Sequence, residues 1–159
     1  MIDVIFAIKF VHVLAAAAMF GTWLCLAIFM LLAHRSENTS VVALISQFAV
    51  TVEKSVMIPA ILLQPLTGFP LAAAIGLQPF GEFWILVSLA FFAVFIVCWI
   101  LAMRTEICIR GMAREAALES EPLPKAYRRQ FRLWCTLAIP LLLSMACVFA
   151  LMIWQPRLD

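Results

Sequence analysis

Four long apolar stretches limit this chain more than any other feature of its sequence. Each is about 20 residues or longer, which is enough for a helix to cross a hydrocarbon core of about 30 Å. Lipid offers no hydrogen-bond partner to free backbone N–H and C=O groups, so such segments must be helical. The sequence therefore predicts an all-α integral membrane protein with a single four-helix bundle. The expected helices cover residues 4–33, 41–77, 83–119 and 132–154.

The composition leaves little material for any soluble domain. Hydrophobic residues make up 66% of the chain and charged residues 13%, whereas a soluble domain is usually about half apolar and about a quarter charged. The net charge of +2 is too small to indicate nucleic-acid binding. The sequence also has no phosphate-binding loop, zinc-protease motif or dinucleotide fingerprint. The lipid bilayer is thus the first partner that we expect.

The distribution of lysine and arginine predicts the orientation in the membrane. Seven of these residues lie between positions 104 and 132, whereas the turn at 78–82 has none. Because cytoplasmic loops are enriched in Lys and Arg, residues 104–132 should be cytoplasmic. Both termini would then lie on the outer, periplasmic side of a bacterial inner membrane. The beginning of the second helix, residues 41–55, should be interfacial.

Several polar or amphipathic residues near the ends of the apolar segments favour an interfacial position. Glu53 and Lys54 should lie on a solvated face near the cytoplasmic boundary. Trp84, Trp134 and Trp154 stand at segment ends, where indole rings favour the level of the lipid headgroups.

His12 is the most informative candidate for chemistry because it lies within an apolar segment. Ionisable residues inside a membrane are costly and mark functional sites by default. Ala16 and Met19 share its helical face. A histidine beside alanines in a membrane bundle can offer an imidazole nitrogen to haem iron and leave room for the porphyrin. The alternative is that His12 only hydrogen-bonds a backbone carbonyl or a polar neighbour.

A haem iron held by His12 would need its other axial ligand from elsewhere. No second histidine lies inside an apolar segment, and His34 stands at the far end of the same helix, so ligation by two histidines of one chain is rejected. Met145 and Met152 of the fourth helix are the expected protein ligands. A lysine, a water molecule or a partner chain is the alternative.

The second candidate is a polar group in the middle of the second apolar segment, Gln64, Thr67 and Gly68. Gln64 and Thr67 would line a polar pocket for a quinone carbonyl, a porphyrin propionate or an ion. Their alternative role is to repair the backbone hydrogen bonds that Pro65 and Pro70 remove. The two interpretations remain open at this point.

A third pattern favours a function without chemistry. Ala17, Gly21 and Cys25 form a ridge of small residues opposite the His12 face, which suits close packing of helices. An accessory or scaffold subunit, as a homodimer or within a larger membrane complex, is therefore an alternative function. A minimal transporter is a further alternative, because helices broken by proline often line transport sites.

Several short motifs spread over the chain are similar to those of a known family. The sequence resembles the bacterial membrane family catalogued as domain of unknown function 2269. The resemblance implies the same count of four helices. The matching motifs are Ile8–Leu14 with Gly21, Gln64–Gly68, Leu123–Pro124, Tyr127–Arg128, Phe131–Trp134 and Trp154–Pro156.

A more distant similarity concerns the start of the first helix. Lys9, Val11 and His12 resemble the pattern of small membrane protoporphyrinogen oxidases and of copper-resistance-type membrane domains, whose first-helix histidine is associated with haem or metal. The oxidases also use a lysine on a later helix, and residues 83–103 contain none. This departure argues against protoporphyrinogen oxidase activity itself. The function that we expect is a haem b-associated membrane redox protein that exchanges electrons with quinone or acts on a tetrapyrrole.

Overall fold

The computed structural model describes residues 2–78 and 80–156, and every regular element in this part of the chain is a helix. A π-helical turn, Glu53–Met57, joins α2 (Thr39–Val52) to α3 (Ile58–Ala74) without a break, so α2 and α3 form one long span. Together with α1, α4 and α5 this gives four helices that are long and apolar enough to cross a membrane within the described residues. The predicted all-α four-helix membrane fold is confirmed. The helices are α1 (Ile2–Arg35), α2 (Thr39–Val52), α3 (Ile58–Ala74), α4 (Phe83–Glu119) and α5 (Lys125–Trp154).

The π turn has a local cause in the sequence. Pro59 has no backbone N–H, and in an α-helix its ring would press on the carbonyl four residues earlier. The chain widens just before it, and the N–H of Ile58 donates to the carbonyl of Glu53, five residues back. Such a bulge shifts the phase of the helix that follows. By contrast, α3 stays helical through Pro65 and Pro70.

The end of α3 is set by a glycine in the left-handed conformation. Gly76 has φ +78°, which residues with a Cβ rarely adopt. The N–H of Leu77 donates to the carbonyl of Ala72 at 3.0 Å, and that of Gly76 to Ala73 at 3.1 Å. This pair of bonds satisfies carbonyls at the helix end. The helix ends at Ala74, whereas the apolar run in the sequence predicts an end at residue 77.

The fourth membrane helix begins earlier than the sequence indicated. It starts at Lys125, not at residue 132, because Pro124 occupies the N-cap position in an extended conformation. The first turns of α5 then bury Tyr127, Phe131 and Trp134. Their spacing of four and three residues places them on one side of the helix. We call the end of the bundle formed by residues 104–132 the arginine-rich end.

The helices pack unequally along the bundle. α4 packs along both α5 and α2, while α1 packs on α3 and, less closely, on α2. α3 makes little backbone contact with α4 or α5. The bundle is therefore tightly filled towards the arginine-rich end and opens between α3 and the α4–α5 pair at the other end.

Candidate functional site

His12 lies on α1 where that helix faces α3, and its ring is held by Thr67. The Nδ1 atom of His12 is 2.8 Å from the Thr67 hydroxyl oxygen. That hydroxyl also reaches the carbonyl of Leu63 and, at 3.3 Å, the carbonyl of Gln64. Carbonyl oxygens only accept hydrogen bonds, so the single hydroxyl proton of Thr67 is donated to α3. Thr67 must then accept from Nδ1–H of His12.

This chain of hydrogen bonds fixes the tautomer of the imidazole. In a neutral histidine with its proton on Nδ1, the other nitrogen, Nε2, carries a free electron pair. Nε2 has no hydrogen-bond partner in the described part of the chain, and it is not among the fully enclosed polar atoms. His12 therefore presents an available nitrogen ligand or proton acceptor to the space beside it.

Gly68 makes room for the imidazole ring. A Cβ atom at this position would lie 3.2 Å from Cε1 of His12 and 3.7 Å from Nδ1. The first distance is too short for ordinary carbon contact, so any side chain here would displace the ring. Gly68 of the Gln64–Gly68 motif thus leaves the space that the His12 ring occupies.

Gln64 ties α3 to the backbone of α1 beside His12. Its side-chain amide donates to the carbonyl of His12 at 3.2 Å. Pro65 and Pro70 leave the carbonyls of Ile61 and Leu66 without their usual helical donors, yet neither Gln64 nor Thr67 bonds to these. The repair role that the sequence left open is not what these side chains do.

Two adjoining cavities open beside His12, of about 330 Å³ and 230 Å³. They share His12, Gln64 and Phe92 in their walls. The residues that the sequence singled out as cofactor-binding meet here: Ala16, Met19, Met145 and Met152 line the larger cavity, Gly68 lines the smaller, and Thr67 stands behind the ring of His12.

The smaller cavity has polar side chains in one part of its wall. It extends between α3 and α4 and has Lys9 and Gln155 in its wall. These are the polar side chains nearest the chain ends in that wall, and both are exposed. The rest of the lining is almost wholly apolar, with Pro65, Leu89 and Phe92 among its members. The space suits a flat or extended apolar molecule with a polar group at one end.

A second polar cluster lies in the arginine-rich half and was not foreseen. Glu53, expected on a solvated face, is only 1% exposed, and so is Glu106. The indole N–H of Trp99 donates to Glu53, and that of Trp134 donates to Glu106 at 2.8 Å. Glu53 continues the buried face of α2, four residues after Ala49, whereas the neighbouring Lys54 stays exposed as expected.

Two of the three tryptophans expected at headgroup level are buried within the bundle. Trp84 and Trp134 are 6% and 1% exposed, whereas Trp154 is 80% exposed. Trp134 stacks on Trp23 with ring centroids 5.6 Å apart. For the buried glutamate cluster, the available sequence signal was the seven-residue spacing of Trp99 and Glu106, which puts both on one face of α4.

The ridge of small residues faces away from the bundle. Ala17 and Cys25 are exposed, and a Cβ atom added at Gly21 would meet nothing within 4 Å. The opposite face of α1, with Met19, Trp23 and Met30, is buried. The ridge is therefore not used for packing within the described chain.

His34, which the sequence excluded as a second haem ligand, has other partners. Its Nδ1 atom lies 3.1 Å from the hydroxyl of Tyr127, and its ring stacks on Phe131 at 3.9 Å between centroids. These partners lie at the arginine-rich end, far along α1 from His12. The exclusion of ligation by two histidines of one chain agrees with this placement.

Comparison with known proteins gave one match. A family model described as "Predicted integral membrane protein (DUF2269)" matches residues 6–156. No curated protein and no solved structure matches the chain.

Proposed function

The chain belongs to the DUF2269 family of predicted integral membrane proteins, and we propose that it is a haem b-binding membrane redox protein whose iron ligand is Nε2 of His12. The proposal rests on one observation above others. The Nδ1–H of His12 is bound by Thr67, and the free electron pair of Nε2 is left beside a cavity. This is the state in which an imidazole binds a metal.

The side chains around His12 would act by holding that state. Thr67 keeps the proton on Nδ1 and so keeps Nε2 unprotonated, since its own proton is committed to the carbonyl of Leu63. Gln64 fixes the backbone of His12 against α3. Metal-binding histidines almost always donate their second N–H in this way, which orients the ring and raises its basicity.

The donor set of the larger cavity fits a haem group. Ala16, one turn from His12, occupies little space, and the thioethers of Met19, Met145 and Met152 line the same cavity. Methionine sulfur is an established partner of histidine in haem ligation. Haem b, when bound, would supply a one-electron redox centre.

The smaller cavity supports a quinone as the redox partner. Its walls are apolar apart from a few groups, of which Lys9 and Gln155 can donate to a quinone carbonyl or a porphyrin propionate. An apolar tail would fit between α3 and α4, where the helices stand apart. The surplus of arginine and lysine at residues 104–132 supports a bacterial inner membrane with both termini outside.

The test is an absorption spectrum of the detergent-purified protein, oxidised and reduced with dithionite. We expect a Soret band and sharp reduced α and β bands in the wild type, and their loss in His12→Ala. His34→Ala is the matched control because it removes the other histidine, which bonds Tyr127. It should keep the bands.

Two outcomes would contradict the proposal. A wild-type protein that stays colourless when expressed with ample haem has no such site. Bands that survive in His12→Ala but disappear in His34→Ala would show that the iron ligand is His34 and not His12.

The second candidate function is an accessory subunit of a membrane complex or a homodimer. The outward direction of the Ala17–Gly21–Cys25 ridge favours it, because small residues on an exposed helix face let a second helix approach closely. This function needs neither His12 nor the cavities.

A further inference from the structure

Glu53 and Glu106 are buried together in the arginine-rich half and take no part in the His12 site. Each is 1% exposed, and Trp99, which binds Glu53, lies two turns before Glu106 on the same face of α4. Each carboxyl group accepts one indole N–H, from Trp99 and Trp134 respectively. The pair thus joins the π turn, α4 and α5.

The pair has no opposing charge. No lysine or arginine in the described ranges contributes a neutralising charge to either glutamate. The second oxygen of Glu106, Oε2, is fully enclosed and has no hydrogen-bond partner among the described residues. A buried carboxylate without a cation costs several kcal/mol, and two in the same buried region cost more. The pair therefore requires a positively charged ligand.

A metal ion does not fit this requirement. Calcium takes about six to eight oxygen ligands and magnesium about six. Within the described residues no group of three or more His, Cys, Asp or Glu side chains could hold a metal. Indole N–H groups already occupy one oxygen each of Glu53 and Glu106. A proton needs only one oxygen atom.

We propose that Glu53 and Glu106 form a proton-binding site in which one proton is carried by the pair, on Oε2 of Glu106, and is exchanged with the aqueous phase at the arginine-rich end. Glu106 lies two residues beyond the exposed Arg104, so the path to that boundary is short. The indole bonds to the other oxygens persist in both states, because each remains an acceptor.

The other ionisable groups on the surrounding helices do not supply the missing charge. His34 of α1 and Tyr127 of α5 are bonded to each other. Cys135 of α5 is half-buried beside Trp134 in sequence. The cations on the same elements are directed outwards or are only partly covered: Lys54 and Arg104 are exposed, and Arg110 is half-buried.

Loss of the proton would have a structural consequence. Two carboxylates without a cation would repel across the contact between the π turn and α4. The packing of α2 and its π turn on α4 should then loosen. Proton release would therefore weaken the packing of these helices, because Glu53 and Glu106 connect them through the hydrogen bonds from Trp99 and Trp134.

The experiment is infrared spectroscopy of the full chain in lipid nanodiscs at neutral pH, in H₂O and in D₂O. An un-ionised carboxyl group gives a C=O band that is separate from the carboxylate bands and shifts on deuteration. We expect this band in the wild type and its loss in Glu106→Gln, whose amide oxygen can still accept from Trp134. Glu53→Gln should shift the band, because the neighbouring charge is removed.

Glu115→Gln is the matched control, since Glu115 is exposed on the same helix. It should leave the band unchanged. If the wild type shows no protonated carboxyl band at neutral pH, the proposal is overturned. A band whose intensity depends on added sodium or potassium would show that the site binds a metal cation instead of a proton. A band that survives in Glu106→Gln at full intensity also overturns it. The wild-type measurement decides the matter even if a variant fails to fold.

Discussion

The Nδ1 atom of His12 and the hydroxyl oxygen of Thr67 lie 2.8 Å apart, across the contact between the first and third helices. Thr67 is committed to donating to Leu63, so the bond has a fixed direction. One threonine on α3 thus determines which nitrogen of a histidine on α1 is free. The proposed ligand function depends on this pair more than on the histidine alone.

Thr67→Val should weaken haem binding without removing it. Valine has the shape of threonine but cannot accept from Nδ1–H, so the tautomer and the ring orientation are no longer held. We expect affinity for haem to fall by about 10- to 100-fold, as is typical when the partner of a ligating histidine is lost. Titration of the apoprotein with haem, followed at the Soret band, measures this.

The matched control for Thr67 is Thr51→Val. Thr51 is exposed on α2, and its hydroxyl donates only to its own helix, to the carbonyl of Gln47 at 2.9 Å. Its haem affinity should equal that of the wild type. Equal affinities in all three proteins would show that Thr67 does not position His12.

Gly68→Ala should disturb the His12 site more than it disturbs the fold. The new Cβ would stand 3.2 Å from Cε1 of His12, so the ring must move by a few tenths of an ångström. Alanine otherwise favours the helix by about 1 kcal/mol relative to glycine. We expect a shifted or weakened Soret band, recorded beside a thermal unfolding curve.

Gly111→Ala serves as the comparison for Gly68. Gly111 lies inside α4, where an added Cβ would meet nothing within 4 Å. This change should leave the spectrum as it is and keep or raise the unfolding temperature. Indistinguishable spectra for the two variants would contradict the steric role of Gly68.

Trp134→Phe should destabilise the bundle. The change removes the indole N–H that donates to Glu106 at 2.8 Å, and it leaves both oxygens of a buried carboxyl group without partners. A buried acceptor without a hydrogen-bond donor lowers the free energy of unfolding by about 1–3 kcal/mol. Unfolding in mixed detergent, followed by circular dichroism, should give that decrease in free energy.

Trp154→Phe provides the control for Trp134, since Trp154 is 80% exposed at the end of α5. It should change the unfolding free energy by less than about 0.5 kcal/mol. A Trp134→Phe protein as stable as Trp154→Phe would mean that Glu106 does not depend on the indole.

Gly21→Leu tests the accessory-subunit function. Because the ridge faces outwards, leucine should fit without disturbing the monomer, but it should block close approach of a second helix. Cys25, exposed one turn further on, reports the contact: oxidation should join two chains in the wild type and not in Gly21→Leu. His12→Ala should cross-link like the wild type, and cross-linking that persists in Gly21→Leu would reject the idea.

The sequence by itself determined the membrane fold and several of its boundaries. Lipid cannot hydrogen-bond the backbone, so four long apolar stretches must become four helical spans. The bounds of α4, Phe83–Glu119, and the end of α5 at Trp154 agree with the sequence prediction. The face shared by His12, Ala16 and Met19 also follows from helical periodicity alone.

Only the tertiary structure decided which polar atoms are paired and which are free. The tautomer of His12 depends on a threonine 55 residues away in the chain, and the partner of Glu53 is a tryptophan 46 residues away. The cavities exist because α3 packs on α1 and not on α4. A one-dimensional pattern gives the face of each helix, whereas the distance and rotation between helices follow from how all their side chains pack together.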